Sequence, residues 1–160
     1  MAALSDTLVV SLEQAVAAPY CTRHYDSLVN GESAYFVWLN SGKESLVLNA
    51  KDPADKALLS AMLERADVFV QNLRPGAIEA LGFDYATLAG RNPGLVMCSI
   101  SGYGTSGPYA GKKAYDFLVQ GESGLCSVTG APGEPARVGI SVCDISTGLT
   151  AYGEILRALL

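Results

Sequence analysis

The chain has 160 residues, enough for one hydrophobic core and hardly two. Eleven Lys and Arg stand against 16 Asp and Glu, a net charge of −5, which argues against a nucleic-acid or anionic-membrane surface. Hydrophobic residues make up 49% and charged residues 17%, a balance that excludes intrinsic disorder, and the 17 glycines carry no collagen-like period.

The N-terminal stretch lacks a basic start, and Asp6 and Glu13 interrupt its apolar run, so it is not read as a signal peptide. No apolar run reaches the ~18 residues of a membrane span. Cys21, Cys98, Cys126 and Cys143 are widely spaced, with no CxxC and a single histidine. They read as reduced thiols of a cytoplasmic protein, with no zinc site and no disulfide framework.

In chain order, residues 7–12 (TLVVSL) predict a buried strand. Residues 13–23 form a weak helical stretch broken by Pro19, and 24–33 is polar and turn-rich. The apolar, aromatic run 34–40 (AYFVWLN) predicts a strand, as does 44–50 (ESLVLNA). Asp52 as N-cap and Pro53 at the first position open a helix with an apolar stripe of Leu58, Leu59, Met62 and Leu63. Residues 68–72 predict a buried strand, 74–82 a helix stopped by Gly82, 83–93 a short helix with loops, and 94–104 a strand entering a glycine-rich loop. The loop continues over 105–113. A helix follows over 115–123, a turn-rich connection over 130–139 and a helix over 144–160. Alternating strands and helices predict an α/β fold: a Rossmann-like parallel sheet with flanking helices, in one domain spanning 1–160.

The bare residues offer little chemistry. His24 lies in a polar segment and reads as solvated. No GxSxG is present. SGYGTSG (101–107) lacks the Walker spacing, and a plain turn explains it equally well. Asp144 lies between the apolar RVGISVC and the small-residue start of a helix. Such an aspartate is more often an N-cap; it is also a candidate desolvated nucleophile or base. Tyr115 and Asp116 beside Lys113 suit a helix start with a solvated charge pair. NLRPG (72–76) places Asn72 and Arg74 at a strand's C-terminal end, where open α/β sheets bind ligands.

Taken together, VVSLEQAVAAPYCTR, NSGKESLVLNAKDPADKALLSAMLERADVFVQNLRPGAIEALGFDYATLAGRNPGLVMCSISGYGTSGPY, KKAYDFLVQGESGLCSVTG and PARVGISVCDISTGLTAYGEILRALL resemble the family III coenzyme A transferases. The resemblance covers nearly the whole chain. It implies transfer of coenzyme A from an acyl-CoA donor to a carboxylic acid acceptor, through an aspartyl anhydride and an aspartyl-CoA thioester, with water excluded. It places the nucleophile on Asp144 and lines the site with Tyr115 and Asp116. It assigns CoA contacts to Leu48, Asn49, Ala50 and Lys51, to Asn72, Leu73 and Arg74, and to Lys113 and Ala114. Lys51, Arg74 and Lys113 would suit the cofactor's phosphates. No metal is implied. The related α-methylacyl-CoA racemases carry a histidine where this chain has Tyr115, and tyrosine is a poor base at neutral pH, which favours transferase over racemase. HYDSLVNGESAYFVWLN is similar to members acting on small dicarboxylic acids.

The chain departs from the family in three ways. CTR runs straight into HYDSLV, where members carry a second sheet strand and a CoA-contacting arginine, so the sheet is expected to be incomplete. Members are more than twice as long, with a small domain and an interlocked homodimer that this chain is not expected to form. Val16 and Ala80 stand where some members have glutamine and arginine. These departures leave a non-catalytic CoA-binding fragment, or half of a split enzyme, as the alternatives.

Overall fold

A computed structural model describes residues 6–12, 28–29 and 31–160. The chain divides into two compact units, Met1–Glu13 with Ser60–Leu160, and Gln14–Leu59.

The larger unit is built on a parallel sheet. Strand β1 (Val9–Leu12) pairs with β4 (Val68–Gln71), which pairs with β5 (Val96–Ser99), so β4 is central. Val10 stands opposite Phe69, and Val70 opposite Cys98. The central strand is covered on both faces, which is why VFV is a continuous apolar run rather than an alternating one. Asp67 fixes the entry to the sheet: its N–H donates to the Leu8 carbonyl at 2.9 Å and its carboxylate accepts the Leu8 N–H at 2.7 Å. The core gathers Val10, Leu63, Phe69, Ile78, Phe83 and Leu88.

Helix α2 (Pro53–Leu63) opens as expected, with Asp52 Oδ1 accepting the Ala54 N–H at 2.8 Å. Its buried stripe is Leu59 and Leu63, one turn apart; Leu58 is exposed, so the expected stripe is rotated. The Asn92 amide donates to the Leu63 and Ala66 carbonyls at 3.2 and 2.7 Å and closes the end of this helix. The helix expected over 74–82 is one turn, α3 (Ala77–Ala80), because Gly76 and Gly82 both take positive φ. Helix α4 (Tyr85–Arg91) is capped by Asp84, which accepts from the Thr87 N–H and hydroxyl and is thereby held below its ordinary carboxylate range. Helix α5 (Asp116–Glu122), a 3-10 turn (Leu125–Val128), a two-residue ladder of β6 (Gly130–Ala131) with β7 (Glu134–Pro135), and helix α6 (Val142–Leu159) complete the unit.

The smaller unit corrects three expectations. Residues 28–33 hold a two-residue ladder, β2 (Leu28–Val29) with β3 (Glu32–Ser33), around Gly31 at φ 88°. AYFVWL is not a strand but helix α1 (Ala34–Leu39), closed by the Asn40 side chain on the Phe36 carbonyl. Six consecutive apolar residues carry no period, and β-propensity counts only where a neighbouring strand accepts the side chains. Residues 44–50, also expected as a strand, pair with no strand among the described residues, and Val47 is exposed. The helical stretch over 13–23, including Cys21, His24 and the junction after Arg23 lie outside the described residues.

Leu63 is completely buried, so Leu63→Ala is expected to cost about 2–5 kcal/mol in a denaturant melt. Leu58→Ala, on the exposed face of the same helix, is expected to shift the midpoint far less.

Candidate functional site at the start of helix α6

The strands of a parallel sheet deliver their C-terminal ends to one edge, and the segments leaving that edge build the candidate site. Asn72, Leu73 and Arg74 follow β4. The Leu73 N–H donates to the buried Gln71 side chain at 2.8 Å, and Arg74 is exposed. The glycine-rich segment follows β5. Gly102 meets the KKAYD segment so closely that a Cβ there would overlap the Ala114 methyl. This close approach, rather than phosphate binding, is a structural reason for glycine in SGYG. A second brace joins the same loop to α5. Tyr103 packs edge-on to Tyr109 with centroids 5.7 Å apart, and the Lys112 ammonium lies 3.5 Å from the Tyr109 ring centre and 3.2 Å from the Glu122 carboxylate.

Asp144 is not the cap of α6. It occupies the third position of the helix, and Ser141, the N-cap residue, makes no capping bond. The capping carboxylate comes from Asp116 at the first position of α5. Its Oδ2 accepts the N–H of Cys143 at 2.8 Å and of Asp144 at 3.2 Å. Free N–H groups at a helix start ordinarily stabilise a carboxylate. Here Asp116 has taken two of them. Asp144 is left beside a second carboxylate, and the surrounding protein, then the Asp116 charge, push its carboxyl above the ordinary range, although solvent still reaches the residue. The neighbouring Cys143 thiol is also pushed up, by burial first and then by the same two carboxylates, so at neutral pH it is a poor nucleophile.

The other expected site residues are placed as follows. Tyr115 directly precedes α5 with its ring exposed, and Lys113 is exposed. Leu48, Asn49, Ala50 and Lys51 lie in the smaller unit, where Asn49 Oδ1 accepts the Lys51 N–H at 3.1 Å and the Asn49 N–H donates to Asp55 at 2.8 Å. That turn presents Lys51 to solvent. Sequence reasoning missed Gln120, whose buried side-chain nitrogen donates to Asp116. A lone amide four residues after an acid, inside an apolar helix, was the available signal.

Beyond Asp144, an open groove of about 440 Å³ runs between the end of β5 and α6, lined by Cys98, Ser99, Ser101, Ser146, Thr150 and Glu154 among others. Among the described residues there is no cluster suited to a metal ion, and no helix long and apolar enough to cross a membrane.

A parallel sheet with flanking helices, and a carboxylate raised at a helix start beside the sheet's C-terminal edge as the candidate site, defines an α/β protein. Residues 8–160 match the model of CoA-transferase family III, and the chain belongs to that family. It is 46% identical over 140 residues to the acetyl-CoA:oxalate CoA-transferase of Acetobacter aceti, covering 86% of this chain and 36% of the relative. It is 41% identical over 132 residues to the succinate–glutarate CoA-transferase of Agrobacterium fabrum, covering 82% of this chain and 33% of the relative. A CaiB/BaiF family protein from Brucella suis superimposes with a TM-score of 0.87 at 33% identity, over 98% of this chain and 49% of that one. The chain thus spans about a third of the length of these curated relatives.

Two outcomes test this geometry. Gly102→Ala is expected to lower stability by forcing the Ala114 segment away, and the double variant Gly102→Ala/Ala114→Gly to recover most of the loss, measured as a double-mutant cycle in urea. The raised Asp144 carboxyl means that the folded state holds its proton to higher pH than the unfolded chain. Its contribution to stability is full below the ordinary value of 3.8 and is lost as pH rises through the folded value. Asp144→Asn is therefore expected to raise the thermal midpoint at pH 7. The gain should stay under about 1 kcal/mol because water screens the pair, and should vanish in acid.

Proposed function

We propose that this chain is the CoA-binding, nucleophile-bearing part of a CoA-transferase that moves coenzyme A between small carboxylic acids, dicarboxylic acids among them. The observation that carries this reading is the Asp144 carboxylate at the start of α6, raised by burial and then by the charge of Asp116, the carboxylate that caps the same helix turn.

An Asp144 carboxylate oxygen attacks the thioester carbonyl of the donor. The carbon–sulfur bond breaks, and a mixed anhydride and CoA thiolate result. The thiolate then attacks the Asp144 carbonyl, releasing the donor acid and leaving an aspartyl-CoA thioester. The acceptor carboxylate attacks that thioester to form a second anhydride and free the thiolate. The thiolate takes the acceptor's acyl carbon and restores the Asp144 carboxylate. No electrons are exchanged and no proton is needed. A carboxylate nucleophile conserves the thioester's energy because an anhydride is itself an activated acyl group. Acylation removes the Asp144 charge, so it also relieves the repulsion from Asp116; the neighbour that costs stability in the resting state favours both covalent intermediates. Tyr115 borders the same site and serves as a hydroxyl donor rather than a base. The family resemblance supports CoA contacts from Asn72, Leu73, Arg74, Lys113 and Ala114 in the larger unit and, separately, from Leu48, Asn49, Ala50 and Lys51 in the smaller one, with the cationic Lys51, Arg74 and Lys113 suited to its phosphates. The oxalate and succinate–glutarate activities of the relatives support small acids as the substrate class.

Two measurements test the proposal. Millimolar CoA is expected to raise the thermal midpoint of the purified chain. Labelled succinate is expected to exchange into succinyl-CoA, with Asp144→Ala reducing exchange by at least about 10³-fold, as removal of a covalent nucleophile does. Exchange that survives Asp144→Ala overturns the nucleophile, and a cooperative melt that CoA does not move overturns the binding role.

A further inference from the structure

Among the described residues, two polar side chains are buried, Gln71 and Gln120, and Gln120 is the deeper, with no exposed surface. A buried amide is costly unless every group is used. Gln120 uses both ends. Its Oε1 accepts the Val138 N–H at 2.8 Å. Its Nε2 donates to Asp116 Oδ1 and lies 3.4 Å from the carbonyls of Val138 and Ile140. The amide can sit only one way round, because turning it over would set oxygen against the Asp116 carboxylate and nitrogen against an N–H. Asp116 is four residues earlier, on the same face of α5. With Oδ1 held by Gln120, Oδ2 is aimed at the N–H groups of Cys143 and Asp144. One connected path therefore runs from the Val138 N–H through Gln120 and Asp116 to the backbone of Asp144. It ties α5 both to the connector before α6 and to the first turn of α6.

We infer that Gln120 is a positioning residue for Asp144: its amide locks Asp116 in the rotamer that caps α6, and so fixes the Asp144 carboxylate beside an immobile negative charge. The functional weight of this inference rests on Asp144 as nucleophile; its physical content does not. Asp116 is the charged group that acts on Asp144 from outside α6, and Cys143 is its titratable neighbour within α6. Without the amide, Asp116 is free to leave the cap, and the carboxylate it opposes is released.

The test is amide exchange and carboxyl titration by NMR on the full chain. Gln120→Met keeps length and burial but removes both hydrogen bonds. It is expected to speed exchange of the Cys143 and Asp144 amides by about tenfold or more, the loss expected when a charged acceptor is freed, while the Phe69 amide in β4 changes little. The Asp144 titration midpoint is expected to fall toward the ordinary aspartate value. Gln120→Glu is expected to show the same loosening at neutral pH and to regain protection in acid, because its carboxyl can donate to Asp116 only when protonated. A steric filler would show no such return. A folded Gln120→Met variant with unchanged protection and unchanged Asp144 titration overturns the inference, as does a Gln120→Glu variant whose protection ignores pH. If neither variant folds, the unaltered chain decides. Its Gln120 side-chain amide protons must then be resolved and slowly exchanging, and rapid exchange overturns the inference. Loss of labelled exchange in Asp144→Ala without any effect of Gln120→Met would sink the positioning role alone. The converse pattern would sink the nucleophile and leave the positioning role standing.

Discussion

The site depends on one constraint: a helix begins with N–H groups that its own backbone cannot satisfy. In α6 the partner is Asp116, drawn from another helix 27 and 28 residues earlier in the chain. A local cap from Asp144 would have engaged the lone pairs of its own carboxylate. A cap from Asp116 leaves them free and adds a repulsive charge nearby. The same contact that stabilises the helix start therefore makes its third residue less stable as an anion. The cap at the helix terminus and the second of the two causes that raise the Asp144 carboxyl, after burial, thus come from one residue, Asp116.

That contact needs α5 held in place against α6, and three features hold it. Gln120 fastens α5 to the connector before α6. The Lys112–Glu122 pair with the Tyr103–Tyr109 edge fastens the glycine-rich loop to α5. Gly102 lets that loop pass close to Ala114 without a side chain in between. Behind them lies the three-stranded sheet, whose parallel strands send the loops after β4 and β5 to the same edge. The sheet supplies direction, and the braces supply position.

Much of the scaffold was legible in sequence. Apolar runs marked all three parallel strands, and Asp52–Pro53 marked a helix start through local side-chain capping. The failures share a cause. AYFVWL became a helix and ESLVLNA pairs with no strand among the described residues, because whether an apolar run is a strand depends on a neighbour remote in sequence. The buried stripe of α2 was rotated by one residue for the same reason: the face that meets the core is chosen by the core.

The sequence by itself determined the alternation of strand and helix, and through its linked motifs the family. These depend on local chemistry or on ordered patterns along the chain. Only the tertiary structure decided that Asp116 rather than Asp144 caps α6, and that Gln120 orients it. A hydrogen bond across 27 residues leaves no periodic trace in a sequence, since its partners are set by how two helices pack and not by their spacing along the chain.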